Sequence, residues 1–395
     1  MKTYYMDLHV HIGRTFNGNA VKITASDKLT LTNILEESIT RKGIDIIGII
    51  DAQSPEVLEE MSELIDAGYA YELAGGGIRY KEQVTLILGA ELEIYDEYSS
   101  GPIHVLCYFP TVNDMADFSA WCQTYLKNIQ LSSQRLYCSG IELQTKVKEH
   151  HGWFIPAHVF TPFKSMYGKG VKVSLTEVFD HSMIDAVELG LSSDTYMADE
   201  LIELTQFPYL SNSDAHSLQK LGREHQLIRS SSSSFEAIKK AIDGRENHRI
   251  VKNVGLNPRL GKYYSTTCKV CSTPLKNEKC PNGHTSGTIK GVSERITELS
   301  DLQRFSIDSS KLKKCIQRPP YKHQVPLEFI PGCGPKTVNK LIQAFHSEMA
   351  VLHEVPIEQL IEVIPQKIAN DILNARAGTL AFVEGGGGTY GKIKK

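Results

Sequence analysis

A chain of 395 residues, 41% hydrophobic and 23% charged, is too long for one ordinary core and too apolar for extended disorder, so two or three packed domains are expected. Nothing approaches eighteen consecutive apolar residues and no basic-then-apolar leader opens the chain, which argues against membrane spans and secretion and makes the cytoplasm the expected location. A net charge of -3 gives no global polyanion signature, so any nucleic-acid surface has to be local.

The opening MKTYYMDLHVHIG reads as a strand with Asp7, His9 and His11 on one face and Leu8 and Val10 on the other. Three polar ligand types on one face of an inner strand are costly unless something binds them. A helix is expected near 28–41, the strand DIIGII over 45–50, a helix after Pro55 and the strand VTLILGAELEIY over 84–95. IHVLCYF (103–109) predicts another strand, a helix follows over about 113–129, and WFIPAHV (153–159), AVEL (186–189) and PYLSNSD (208–214) predict three more strands. Such alternation to about residue 230 places crossover helices around a mostly parallel sheet, open or closed into a barrel. RSSSSSF (229–235) is a surface loop leading into a helix, FEAIKKAI, and a domain boundary falls near 240–265. The stretch 288–315 is helical and charged. From 323 onward short helices are broken by IPGCGPK and VPIEQ, and GGGGTYGKIKK reads as a mobile tail or loop with Lys392 as a DNA contact.

The polar residues gather at the tails of the strands: His9, His11, Asp51, Glu91, His104, His158, Asp214 and His216. That is the rim where sites form in parallel β/α barrels. Glu91 and Glu93 share a strand face, one as ligand and one as support. Carboxylates and imidazoles in this number suit two or three divalent ions, Zn, Mn or Mg, with imidazole beside carboxylate favouring Zn, Mn or Fe over Mg alone. Two close ions activate water and stabilise both oxygens of a phosphoryl displacement. No phosphate-binding GxxxxGK loop, dinucleotide fingerprint or serine elbow competes, so hydrolysis of a phosphate ester is favoured and amide or lactone hydrolysis stays open.

Cys107, Cys122 and Cys138 sit among apolar neighbours as small core residues, whereas CKVC…CPNGH brings Cys268, Cys271, Cys280 and His284 into the spacing of a structural zinc site. Lysines 269, 276 and 279 lie within it, and a basic run, KLKKCIQRPPYK, follows at 311–322. PLEFIPGCGPKTVNKLIQAF (326–345) resembles a helix-hairpin-helix motif: Gly332 and Gly334 would free backbone N–H groups for a DNA phosphate, assisted by Lys336 and Lys340. IEVIPQKIANDILNAR (361–376) is a weaker echo without the glycines.

DLHVH, IIDAQSP, GAELE, IHVLCY, PAHVFTP and SNSDAHS resemble, in order, the motifs of the polymerase-and-histidinol-phosphatase (PHP) superfamily. The resemblance implies a distorted seven-stranded barrel of metal-dependent phosphoesterases with a trinuclear site. It implies His9, His11, Glu91 and Asp214 around one ion, Glu91 bridging to a second held by His104 and His158, and Asp51 with His216 serving a third. The reacting groups would be His9, His11, Glu91, His158, Asp214 and His216. The family commonly has Asp-His where this chain has Asp51-Ala52, which weakens the third subsite; His181 is a candidate substitute, although it reads more simply as a surface residue on a helix.

With the linker NPRLGKYY, the zinc cluster and the tail YGKI, nearly the whole chain resembles the endonuclease Q family, most closely its bacterial members. That resemblance implies a DNA repair enzyme cutting 5′ to deoxyuridine, deoxyinosine, deoxyxanthosine or an abasic site, leaving a 3′-hydroxyl and a 5′-phosphate. The expected fold is α/β: a distorted (β/α)7 barrel over 1–250, a zinc-binding module with a helical linker over 251–315, and a helix-hairpin-helix-like α-helical domain over 316–395. Damaged DNA is the expected partner, with nucleoid association during action, a sliding clamp as a candidate recruiter, and no membrane or obligate protein partner. AGGGIRYK (74–81) and TPFKSMYGKG (161–170) are rich in Gly, Lys and Tyr beside the metal strands, so Tyr80, Phe163 and Tyr167 are candidates to stack on the base. Arg14, Arg79, Lys164 and Lys169 are candidate phosphate contacts. The rivals are a 3′–5′ exonuclease or small-molecule phosphatase of the same superfamily, and an inactive DNA-binding scaffold.

Overall fold

A computed structural model describes residues 1–307 and 316–394. β1 (Lys2–Val10) begins exposed and ends wholly buried; β2 (Ile46–Ile49) lies parallel beside it, with α1 (Leu31–Glu37) between them in sequence, capped by the Thr30 side chain. α2 (Pro55–Asp66) follows, with Pro in its first turn. The hairpin of β3 (Ala70–Glu72) and β4 (Ile78–Tyr80) leads antiparallel into β5 (Val84–Ile94), which runs parallel to β2. β6 (Ile103–Phe109) pairs antiparallel with β5 and with β8 (Trp153–Pro156). Between β6 and β8 come α3 (Val112–Gln123), the short β7 (Arg135–Leu136) parallel to β5, and α4 (Gly140–Glu149).

The chain then turns back toward β1. β9 (Val187–Glu188) and β10 (Tyr209–Leu210) form a parallel pair, separated in sequence by α5 (Thr195–Ala198). Asp185 N–H donates to Phe154 and Val159 N–H to Glu188, each at 3.0 Å, which ties β8 to β9. Beyond β10, Ala215 exchanges hydrogen bonds with His9 and His11 of the β1 end, each at 3.2 Å. On the other side of β1, β11 (His225–Ser230) and β12 (Arg249–Gly255) add antiparallel, with α6 (Phe235–Asp243) between them. Met6, Leu8, Ile46, Ile87, Leu106, Ile155 and Leu210 meet in one buried cluster, closed by Trp153 stacked on Phe235 of α6 with centroids 3.9 Å apart. Each such side chain contributes about 1.5–3 kcal/mol by leaving water.

The sheet is mixed, consistent with a distorted barrel, and not the mostly parallel one expected. The reason is connection length. Residues 95–102 between β5 and β6 are too few for a crossover helix, so the strands return antiparallel. The predicted strand over 208–214 is also shorter, β10 ending at Leu210, and Asp214 beyond it takes φ +46.

After β12 the ribbon β13 (Thr267–Cys268) and β14 (Thr288–Ile289) carries the cysteine cluster, followed by α7 (Val292–Ser306). Residues 311–315 of the basic run lie outside the described residues. Arg318 from that run is structural: it pairs with Asp199 at 2.9 Å and lies 3.5 Å over the Tyr209 ring. β15 (Tyr321–His323) joins β12, and four helices follow: α8 (Pro335–Phe345), α9 (Glu348–His353), α10 (Ile357–Val363) and α11 (Gln366–Ala377). These helices dock on the sheet through Tyr5–Glu354 (2.9 Å) and His225–His353 (3.1 Å), and on the helical turn after α1 through Lys42–Glu348 (2.9 Å).

The glycine-rich tail is not loose. β16 (Phe382–Val383) pairs with β17 (Lys392–Ile393), and the N–H groups of Gly385, Gly388 and Gly391 bind carbonyls of Arg259, Lys262 and Leu260. Among the described residues, no helix is long and apolar enough to cross a membrane.

Candidate metal centre and nucleic-acid interface

β1 sends His9 and His11 to one place, and the turn after β10 brings Asp214 against them. Asp214 Oδ1 lies 3.4 Å from His9 Nε2 and 3.5 Å from His11 Nε2. β5 and β6 supply a second group with the turn after β8: Glu91 Oε1 is 2.9 Å from His104 Nδ1 and 3.2 Å from His158 Nε2. Glu91 faces both groups, since its oxygens also lie 3.6 Å from His9 Nε2 and from His11 Nε2. His158 and Asp214 hold left-handed backbone (φ +30 and +46), strain that packing maintains at the site. Gly190 is required behind His158: at φ +79, a Cβ there would stand 2.9 Å from the His158 Cβ.

A test of metal fit is available in the side chains themselves. His9 Nε2 and His11 Nε2, the atoms that face Asp214 and Glu91, are buried and have no hydrogen-bond partner, a costly arrangement unless an ion completes it. Ligands about 2.1 Å from a tetrahedral ion stand roughly 3.4 Å apart, and the imidazole–carboxylate spacings of 3.4–3.6 Å match. The two groups fit a binuclear centre.

Charge distribution agrees. Burial opposes the charge on Glu91, yet His104 and Lys22 hold its carboxyl well below the usual range. Burial likewise opposes the charge on Asp214, and His9, His11 and His216 overcome it. Burial disfavours an imidazolium at His9, but Glu188 and Asp214 overcome it and raise its pKa to about 10.

Asp51 stands behind His11, outside both groups. Its Oδ2 accepts the Ile12 N–H at 2.7 Å and lies 3.2 Å from His11 Nδ1, so it orients the ring. The His216 ring lies 4.6 Å from that of His11, tilted by 59°, and His216 hydrogen-bonds the Asp214 carbonyl through Nδ1 at 3.0 Å. Asp7 accepts N–H groups of Ser213 (3.0 Å) and Gly222 (2.9 Å), fixing the loop that carries Asp214. Glu93 pairs with Lys164 at 2.8 Å, and its pKa falls to about 2: burial opposes this, and His104 and Lys164 overcome it.

Two cavities flank the centre. The larger, about 750 Å³, is lined by Asp214 and His216, by the cations Lys220, Arg223 and Lys262, and by the rings of Tyr263 and Tyr390. The smaller, about 420 Å³, is lined by Lys22, Glu91, Ser133, Phe163 and Lys164 among others. Phe163 meets Tyr263 edge-on at 5.4 Å. Tyr80 and Tyr167 are corrections. They are buried and tied to Glu36 (2.7 Å) and Glu203 (3.0 Å), so neither can stack on a base. Arg79 and Lys169 line neither cavity; Arg79 is spent on Thr85 and the Glu82 carbonyl. Arg14 is also outside them, paired with Asp27 at 2.8 Å.

Sequence reading missed Glu188, Lys22, Arg223, Lys262 and Tyr390. Glu188 is buried, binds His9 Nδ1 at 3.0 and 3.1 Å, and accepts the His158 N–H (2.9 Å) and Asn212 Nδ2 (2.7 Å). Its motif AVELG at a strand end echoes GAELE, a signal that was legible. Tyr390 reaches Arg223 at 3.0 Å from the tail, a contact no local pattern announces.

The third cluster, Cys268, Cys271, Cys280 and His284, brings four ligand atoms within one coordination sphere, with Cys271–Cys280 at 3.6 Å and Cys280–His284 at 3.5 Å. Gly332 (φ +85) and the N-cap Gly334 lie exposed before α8, with Lys336 and Lys340 exposed on it. Gly332 abuts Ile368 of α11, so the 361–376 segment packs on the turn before α8.

No protein-family model matches the chain. It is 54% identical over 396 residues, covering all of both chains, to the uncharacterized protein YqxK of Bacillus subtilis (strain 168). Its structure is similar to the lesion-specific endonuclease PfuEndoQ of Pyrococcus furiosus: TM-score 0.83 at 32% identity, over 100% of this chain and 95% of that one. It is equally similar to endonuclease Q in complex with a 27-mer duplex bearing an abasic lesion at the active site: TM-score 0.81 at 32% identity, over 100% and 96%. This chain belongs to the endonuclease Q family of the PHP superfamily.

Proposed function

We propose that this chain is a metal-dependent endodeoxyribonuclease of DNA repair, hydrolysing the phosphodiester bond 5′ to a deaminated base or an abasic site and leaving a 3′-hydroxyl and a 5′-phosphate. The observation that carries the reading is the pair of imidazole–carboxylate groups sharing Glu91 beside a cavity wide enough for a nucleotide and lined with cations. The relative bound to an abasic duplex supports the same substrate class.

His9, His11, Glu91, Asp214, His104 and His158 would hold divalent ions, Zn or Mn by the donor chemistry, which supply Lewis acidity and an activated water. The protein's own part is positioning. Asp51 and Glu188 fix the tautomers of His11 and His9, so the unpartnered Nε2 atoms face the centre. Lys220, Arg223 and Lys262 offset phosphate charge along the larger cavity, and Tyr263 and Tyr390 offer faces to an extruded nucleotide, whose unstacking costs a few kcal/mol. Phe163 and Lys164 serve the opposite wall.

We read residues 1–250 as a seven-stranded PHP barrel of β1, β2, β5, β6, β8, β9 and β10, residues 251–315 as a module held by structural zinc, and 316–395 as a helix-hairpin-helix domain gripping the backbone at Gly332, Gly334, Lys336 and Lys340. The test is an end-labelled duplex with one deoxyuridine, one deoxyinosine or none, given Mn, Zn, Mg or a chelator. One metal-dependent cut just 5′ of the lesion is expected, lost in Asp214→Ala with DNA binding retained. A ladder from one end would make the protein an exonuclease, and binding without cleavage a scaffold.

A further inference from the structure

The PHP resemblance calls for a third ion served by Asp51 and His216, and the residues do not fit one. Asp51 is fully buried with its carboxylate committed to His11 and to the Ile12 N–H. The next residue is the buried methyl of Ala52. His216 remains as a single imidazole, its Nδ1 turned to the Asp214 carbonyl. Among the described residues, the only clusters of three or more close metal-donor side chains are the two already described and the cysteine site.

A different cation stands at that wall. Lys22 Nζ lies 3.2 Å from Glu91 Oε2 and 2.5 Å from Ser133 Oγ. Its side chain is 15% exposed, and it lines the smaller cavity together with Glu91, Asp214 and His216. The backbone fixes it there: Lys22 N–H donates to Ile12, one residue beyond His11, at 2.8 Å, and Ser132 N–H donates to Val21 at 3.0 Å. An ammonium has three donors. Glu91 and Ser133 take two, leaving one for an oxygen entering the cavity.

We infer that this chain carries a binuclear centre in which the Lys22 ammonium stands in place of a third metal ion. The inference rests on the phosphodiesterase reading above. A lysine cation differs from a metal in kind: it is covalently tethered, carries one charge, cannot be removed by a chelator and does not acidify water. It neutralises the outer oxygen of Glu91 and offers a fixed positive contact to a phosphate, while water activation stays with the two-ion pair.

The experiment is a metal count on the full-length protein, loaded with Zn, freed of loose ions on a chelating resin and assayed by mass spectrometry. Two ions per chain beyond the one in the cysteine cluster are expected, unchanged in Lys22→Met. Turnover of a lesion duplex by Lys22→Met should fall about 100-fold, as for loss of a fixed charge at a transition state, with DNA affinity within a few-fold of the parent, and Lys22→Arg should recover part of it. Three ions in the centre of the parent protein would overturn the inference, as would unaltered turnover by Lys22→Met. A lower ion count in Lys22→Met would make the lysine a structural support and overturn it equally. Should the parent protein leave lesion duplexes uncut, the functional reading fails while the ion count still decides this one.

Discussion

Replacing Glu188 by Gln tests whether an unmarked carboxylate controls the metal centre. Its two oxygens receive His9 Nδ1, the His158 N–H and Asn212 Nδ2 between 2.7 and 3.1 Å. Gln keeps the volume and one acceptor, but its NH2 must then confront either His9 Nδ1–H or the His158 N–H. One charge-assisted hydrogen bond is lost, about 1.5–3 kcal/mol, and the His9 ring is released from its tautomer. Loss of such outer partners lowers metal affinity about 10–100-fold. The half-activating Mn concentration for cleavage of a single-lesion duplex should therefore rise by one to two orders of magnitude, with DNA affinity measured by anisotropy held steady. A half-activating concentration within about twofold of the parent would refute the assignment of Glu188 to the centre.

Two other outcomes are expected. Burial pushes the pKa of His225 down to about 4, and burial with the neighbouring His225 takes His353 down to about 2. Their folded pKa values lie below the ordinary histidine value, so the seam's stability is complete above about pH 6.5 and drains as pH falls toward 4; His225 alone costs about 2 kcal/mol by pH 5. Denaturant unfolding at pH 7.5 and 5 should show that loss, and the double variant His225→Gln, His353→Gln should lose most of the dependence; equal slopes in both proteins would contradict it. Cys280→Ser should release one zinc per chain while the catalytic-centre ions stay, with faster hydrogen exchange in the Thr267–Cys268 and Thr288–Ile289 ribbon. An unchanged zinc content would remove Cys280 from the ligand set.

Much of the site was legible because its signals are local. DLHVHIG and GAELE present ligand types at a spacing of two, and in a strand that spacing alone puts them on one face. CKVC…CPNGH is similarly self-contained. What failed depends on distances between remote segments. Whether Asp51 faces an ion or the back of a histidine turns on a shift of an ångström or two, to which sequence is blind. Tyr80 and Tyr167 sit in glycine- and lysine-rich stretches that look like binding loops, yet partners at Glu36 and Glu203 draw both rings inward. The antiparallel return of β6 could have been read, since residues 95–102 leave no room for a crossover. Tyr390 could not, because its meeting with Arg223 spans 167 positions of chain.

The way the sheet closes has a consequence for the chain's life before it is folded. β1 sits between β2 and β11, and its end is held by Ala215, so this part of the fold depends on contacts some two hundred residues apart. Such non-local closure is slow, since loop entropy is spent before the contacts repay it. His9 and Asp214, 3.4 Å apart in the fold, are brought together by that same long-range pairing. A half-made or partly opened chain therefore has no assembled nuclease centre, and cannot nick DNA while it is still searching for its fold. Ions that bind only the folded chain add about 4 kcal/mol when present at a thousand times their dissociation constant, so the act of arming the enzyme also holds it folded.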